Sequence, residues 1–182
     1  HVVELREPQL DLRQLSDGEL HPETLFSLRQ APGMFGMGLI AAIEQADIDA
    51  LADPADSNND GISGRVNQVW SVSEQSTVPG RFGWKANRPD LEITVAAAFA
   101  DDIGISNPLF PMQPCTDKQP LCQQQPNGNN ADGFEIPADL LDLVVEFLRH
   151  TGAPAARLTE KHSAGQAAFN LAGCQQCHQP SF

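Results

Sequence analysis

Cys174-Gln175-Gln176-Cys177-His178 is the stretch on which the reading of this chain turns. Two thiols three positions apart, followed at once by a histidine, form the c-type haem attachment pattern. Each part has a chemical job. The thiols add to the haem vinyl groups and fix the porphyrin covalently. About one helical turn separates them, so both reach one edge of the macrocycle. His178 then offers the iron a proximal imidazole. Two other readings of a Cys-x-x-Cys compete. A thioredoxin-like redox pair needs a βαβ context, which the pattern of this chain lacks. A zinc site needs four ligands, and no second Cys-x-x-Cys or His-x-His pair supplies them.

Working outward, the chain of 182 residues is long enough for one domain or for one and part of another. It begins at His1 and stops four residues after His178. A cytochrome c fold needs a long helical segment after its attachment motif, so the expectation is a sequence truncated at both ends. No run of about 18 apolar residues is present, and no membrane span is expected. The formal net charge of -13 argues against nucleic acid and against an anionic membrane surface. It suits a cationic partner such as a basic electron-carrier protein, although a solvated acidic surface is the commoner cause of such a balance. Tyrosine is absent, and 14 glycines and 14 prolines point to a loop-rich fold.

Four cysteines are present, and the haem motif uses two. Cys115 and Cys122 remain, separated by Thr116-Asp117-Lys118-Gln119-Pro120-Leu121. A small loop closed by a disulfide is favoured over free thiols or metal ligands. Haem of the c type is attached in oxidising compartments, where such bonds persist.

Val2-Val3-Glu4-Leu5 opens strand-like, and His21-Pro22 starts an extended segment, because a residue before proline leaves the α region. The glycines of Gly33-Met34-Phe35-Gly36-Met37-Gly38 allow tight turns and close approach to a flat ligand. Short helices are expected at about 37–44 and 46–52, with Pro54 as the stop. Asp56, Asn58 and Asp60 alternate and Gly61 stands sixth, which is the opening of a calcium loop with the Ile62 carbonyl as a further ligand. The twelfth position is Asn67 rather than glutamate, so a polar turn rich in Asx hydrogen bonds is the alternative. Val66, Val69, Trp70 and Val72 suggest a strand. Asp90 to Asp102 reads as a helix with Leu91, Val95, Ala98 and Phe99 on one face and Gly104 as its cap. Residues 105–136 read as a surface loop. A helix follows at 137–151, with Leu140, Leu141, Val144, Phe147 and Leu148 as its stripe. A last helix at about 159–172, carrying Ala164, Ala167, Ala168 and Leu171, delivers the chain to Cys174. Residues 1–152 are thus expected to form the remainder of a first domain, 153–158 a linker and 159–182 the start of a second.

The motifs in order resemble those of one family. They are His21-Pro22-Glu23-Thr24-Leu25-Phe26-Ser27-Leu28-Arg29-Gln30-Ala31-Pro32, Gly36-Met37-Gly38-Leu39-Ile40, Ala52-Asp53-Pro54, Asp60-Gly61-Ile62-Ser63-Gly64-Arg65, Gly80-Arg81-Phe82-Gly83-Trp84-Lys85-Ala86 and the closing Cys-Gln-Gln-Cys-His. Together they look like the di-haem oxidoreductases labelled thiol oxidoreductases, which are similar to bacterial di-haem cytochrome c peroxidases and MauG-type enzymes. The label "thiol" has no support here, since haem takes the Cys-x-x-Cys. The resemblance implies a mainly α, loop-rich, cytochrome c-like protein of the periplasm with two c-type haems, the first attachment motif lying upstream of His1. It implies a small cytochrome or cupredoxin as electron donor or acceptor. His21 falls where the peroxidases carry a mobile distal histidine, so it is a candidate sixth ligand or gate; a surface histidine is the alternative. Trp84 corresponds to a tryptophan between the two haems and would be the electron relay, unless it is an ordinary core residue. Arg81 and Lys85 could pair with haem propionates.

Two departures weaken the likeness to a peroxidase. Thr94 stands where the pattern places a glutamine. Asn107-Pro108-Leu109-Phe110 stands where it places the catalytic glutamate. Peroxide cleavage needs a distal base to move a proton between oxygens. Asp101 or Asp102 could serve, or could be solvated helix-end residues. The leading expectation is therefore a di-haem redox enzyme, with a non-catalytic electron-transfer protein as the alternative.

Overall fold

The computed structural model describes residues 7–155, 160–179 and 181–182. The strand expected at Val2–Leu5 lies outside the described residues. So does part of the linker expected at 153–158.

Helices supply most of the regular structure: α1 (Met37–Ala41), α2 (Gln45–Asp49), α3 (Leu91–Ala97), α4 (Pro120–Gln123), α5 (Ala138–His150) and α6 (Glu160–Leu171). One antiparallel hairpin joins them, β1 (Gln68–Ser71) with β2 (Ser76–Pro79), in the register Gln68↔Pro79 to Ser71↔Ser76. The mainly α, loop-rich class expected from sequence is the one observed. Two compact units interleave along the chain: His1–Gly33 with Val95–Asp142, and Met34–Thr94 with Leu143–Phe182.

The first unit is held by small apolar side chains and buried polar ones. Val95, Ala96, Ala97, Ala100 and Leu141 are buried. Ala98, expected on this face, is exposed. After Ala97 the helix widens into a π turn, Ala98–Asp102, and the extra residue rotates the side chains that follow. Gly104 then ends it at φ +70, a left-handed conformation that suits glycine. Asn107 has no solvent exposure. Its amide donates to Ala96 O at 2.8 Å and accepts from Leu109 N at 3.1 Å and Phe110 N at 3.0 Å. Ser106 ties the far end of the 105–136 loop. Its N–H donates to Glu135 Oε2 at 2.8 Å, and its carbonyl accepts from Ile136 N at 3.0 Å. The expected surface loop is therefore closed at its neck by a buried polar network.

Cys115 and Cys122 form the expected disulfide, with Cα atoms 5.9 Å apart and a sequence separation of 7. Thr116 N and Gln123 Nε2 brace the same loop, donating to Gln119 Oε1 and Thr116 O, each at 3.0 Å. A loop this short gives a modest entropic gain, on the order of 2–3 kcal/mol in the chain-entropy model. Denaturant unfolding of the Cys115→Ser, Cys122→Ser protein should show that loss. Peptide mapping without reductant should recover one linked pair; two alkylatable thiols would refute the bridge.

The second unit buries Met37, Phe82, Leu91, Ile93 and Val145, with Ser71 as a buried polar residue. Ser71 Oγ accepts from Glu74 N at 3.2 Å and so helps turn the hairpin. Arg81 organises the region. Its Nη1 donates to the carbonyls of Ile40 (3.2 Å), Ala41 (2.8 Å) and Ile43 (2.7 Å), and its Nη2 to Gln45 Oε1 at 3.1 Å. These carbonyls lie at the end of α1 and just beyond it, where a cation is stabilising.

Along α5 the buried positions are Leu141 and Val145, one turn apart. The expected stripe ran through Leu140 and Phe147, yet Phe147 is 70% exposed and Leu140 is exposed too. The buried line is narrower than the apolar content suggested. In α6, Ala164, Ala167, Ala168 and Leu171 are all exposed, and Leu171 reaches 91%. The chain folds this helix without burying the face that the sequence marks as apolar.

Candidate haem-attachment site

α6 runs to Leu171, and Gly173 follows at φ +76, turning the chain into a single 3-10 turn, Cys174–Gln176. Cys177 N and His178 N both donate to Cys174 O, at 3.2 and 3.0 Å. The two cysteines and the histidine are thereby fixed on one turn. Both thiols are free, Cys174 part-buried and Cys177 exposed. His178 is exposed, and Phe169 meets its ring edge-on with centroids 5.8 Å apart. These side chains fit a covalently attached haem: two accessible thiols for two vinyl groups, and an open imidazole beside them. Phe169 went unnoticed in the sequence. Its place in the last turn of the helix leading to the motif is the signal that would have found it.

Trp84 sits on a closed loop. Arg88 N donates to Phe82 O at 3.0 Å, and Phe82 N returns the bond to Arg88 O at 2.9 Å. Inside the loop Gly83 takes φ +82 and Ala86 φ 48. Gly80 is required at its base, since a Cβ there would stand 1.9 Å from Ala86 O. Asn67 Nδ2 holds the Lys85 and Ala86 carbonyls at 3.1 and 3.0 Å. Trp84 is 56% exposed at the loop's tip, and Lys85 beside it is exposed. An indole so presented is available to a neighbouring group and is not part of this chain's core. The Arg81 guanidinium donates to the carbonyls of Ile40, Ala41 and Ile43 and to Gln45, whereas Lys85 is exposed beside Trp84.

His21 lies in a turn closed by Thr24 N donating to His21 O at 2.9 Å. Its Nδ1 accepts from Glu23 N at 3.2 Å. With Nδ1 accepting, the neutral ring carries its proton on Nε2. Iron ligation through Nε2 would require that bond to break. Asp101 and Asp102 are exposed in the π turn.

The calcium expectation is not supported. Among the described residues no group of three or more His, Cys, Asp or Glu side chains could hold a metal ion. The oxygens of the loop serve its own backbone. Asp56 Oδ1 and Oδ2 each accept from Gly61 N at 3.2 Å, Asn58 Oδ1 from Asp60 N at 3.0 Å, and Asp60 Oδ1 from Ile62 N at 2.8 Å. Asn67, in the position that would complete a calcium loop, is turned to the Trp84 loop instead. The Asx-turn reading describes this segment. Its anchor is Asp53, which stands in the motif Ala52-Asp53-Pro54 and was given no role in the sequence reading. Backbone donation from Ser57 N holds its carboxyl below the usual carboxylate range, with help from the Ser57 hydroxyl and Asn58 N. The signal was an aspartate placed just before a proline at the head of a polar run.

A histidine behind two free thiols, on a turn delivered by a helix, is the residue set of a c-type haem protein. The chain belongs to the di-haem oxidoreductase family: the family described as "di-haem oxidoreductase, putative peroxidase" matches residues 13–182. No curated protein and no solved structure matches it.

Proposed function

We propose that this chain is part of a periplasmic di-haem redox enzyme of peroxidase type. Cys174 and Cys177 attach one haem c through thioethers, and His178 ligates its iron. The observation that carries the reading is the set of two free thiols and an open imidazole on one turn, in a chain of a di-haem family. Bound haem supplies one-electron redox chemistry at iron. The chain's own residues do the rest. Trp84, presented at a loop tip, is the relay toward a second haem, with Lys85 as the cation for a propionate. His21 would be a ligand or gate for that second haem, and Asp101 or Asp102 would move protons. A two-domain cytochrome c-like arrangement, 1–152 and 159–182 about a linker, belongs to the same proposal. The partner is a small cytochrome or cupredoxin, and the net charge of -13 favours a basic one.

A carrier without catalysis is the second reading, and one observation favours it. The positions where peroxidases keep their glutamine and glutamate are structural here. Thr94 Oγ1 donates to Asp90 O at 2.5 Å, and Asn107 is buried in backbone bonds. Steady-state assay of the full di-haem protein with hydrogen peroxide and a reduced small cytochrome separates the two. The enzyme turns over many equivalents, and Trp84→Ala slows transfer between haems while both stay bound. Oxidation that stops at one equivalent per haem would sink the enzyme reading.

A further inference from the structure

A cavity of about 660 Å3 lies within the Met34–Thr94 and Leu143–Phe182 unit. Cys177 lines it together with Leu51, Asp53, Asn58, Asp60 and Ile62. A thioether at Cys177 would put a tetrapyrrole edge next to its Sγ, so the groups that line this cavity with Cys177 would lie near that edge. Leu51 and Ile62 offer apolar surface. Asp53 and Asp60 offer charge, and their own hydrogen bonds hold it in place. Asp53 accepts from Ser57 N at 2.8 Å, and Asp60 accepts from Ile62 N at 2.8 Å and from Asn58 Nδ2 at 3.1 Å. Asp56 adds a third carboxylate to the segment. Arg65 adds one cation, its Nη2 donating to Pro54 O at 3.1 Å. The segment therefore stays net negative.

We propose that the 53–60 loop, which the sequence presents as a cation site, is a potential-tuning wall for the haem on Cys174, Cys177 and His178. This rests on the attachment reading above. Ferric iron carries one more positive charge than ferrous, so fixed carboxylates lining the cavity that Cys177 also lines would stabilise the oxidised form and lower the reduction potential.

Potentiometric titration of the full di-haem protein tests this with two substitutions of opposite sign. Asp60→Asn removes a charge from the wall and should raise the midpoint of the His178 haem. Asn58→Asp adds one and should lower it. Each should change the ratio of reduced to oxidised haem at a fixed ambient potential roughly two- to tenfold. Added salt should raise the wild-type midpoint more than that of Asp60→Asn, because it screens the charge that the variant lacks. This comparison stands even if Asn58→Asp fails to fold. Shifts of the same sign in both variants, shifts confined to the other haem, or no shift would overturn the proposal. A Cys174→Ser, Cys177→Ser protein that keeps both haems would instead remove the attachment reading, and the tuning wall with it.

Discussion

Covalent haem should disappear from this 182-residue chain when Cys174 and Cys177 are both replaced by serine. The chain holds four cysteines, and Cys115 and Cys122 are joined to each other, so no other thiol is left to form a thioether. Serine keeps the size of the side chain and removes the nucleophile, which leaves the 3-10 turn and its bonds to Cys174 O intact as backbone features. The expected result is all or none on a denaturing gel stained for haem, after expression with c-type maturation. His178→Ala should give a different pattern. The thioethers survive and the stain remains, but the visible spectrum shifts because the iron loses its imidazole. Stain that persists in the double serine variant would mean that the pentapeptide is not the attachment site.

How much of this was legible in the sequence differs between the elements and the contacts. α3, α5 and the strand at Gln68–Ser71 announce themselves by period, because their apolar residues recur at the spacing the element imposes. The π turn at Ala98–Asp102 does not. One inserted residue changes which side chains face inward, and Ala98 moved out while Ala100 moved in. β2, Ser76–Pro79, was missed because Ser76-Thr77-Val78-Pro79 is mostly polar and ends in proline; only its pairing with β1 makes it a strand.

The attachment motif was readable because its chemistry is local: three side chains within five residues. The rest of the site depends on where distant backbone lies. Arg81 looked like a partner for an acid because a guanidinium in a glycine-rich loop is unassigned in sequence. The end of α1, some 40 residues earlier, takes it. The Asp56 loop shows the same limit from the other side. Alternating oxygens with a glycine sixth predispose a segment to cage either a cation or its own amides. The local pattern cannot say which, and Asp53, three residues outside the motif, supports the second.

Gly38→Ala should be among the most damaging single substitutions available in this chain. A Cβ at Gly38 would stand 1.9 Å from the Arg149 carbonyl oxygen, 2.9 Å from its carbon and 3.2 Å from its Cα. All three obstructing atoms are backbone, so no side chain can swing aside. The same place is fixed from two further directions. Gly36 N donates to Thr151 O at 2.9 Å, and Arg81 grips the carbonyls at the other end of α1. The sequence reading gave these glycines to a flat ligand; the group that approaches Gly38 is the last turn of α5. Separating α1 from α5 far enough for a methyl group would cost at the upper end of the range for overpacking, about 3 kcal/mol. That corresponds to a fall in Tm of roughly 6–12 °C for a chain of this size. Gly165 provides the control. It lies inside α6 with nothing within 4 Å of a built Cβ. Gly165→Ala should be neutral or stabilising by about 0.5–1 kcal/mol, because alanine loses less backbone entropy in a helix. Equal melting temperatures for the two variants would show that α1 and α5 do not meet at Gly38, and the clamp at Arg81 would need another explanation.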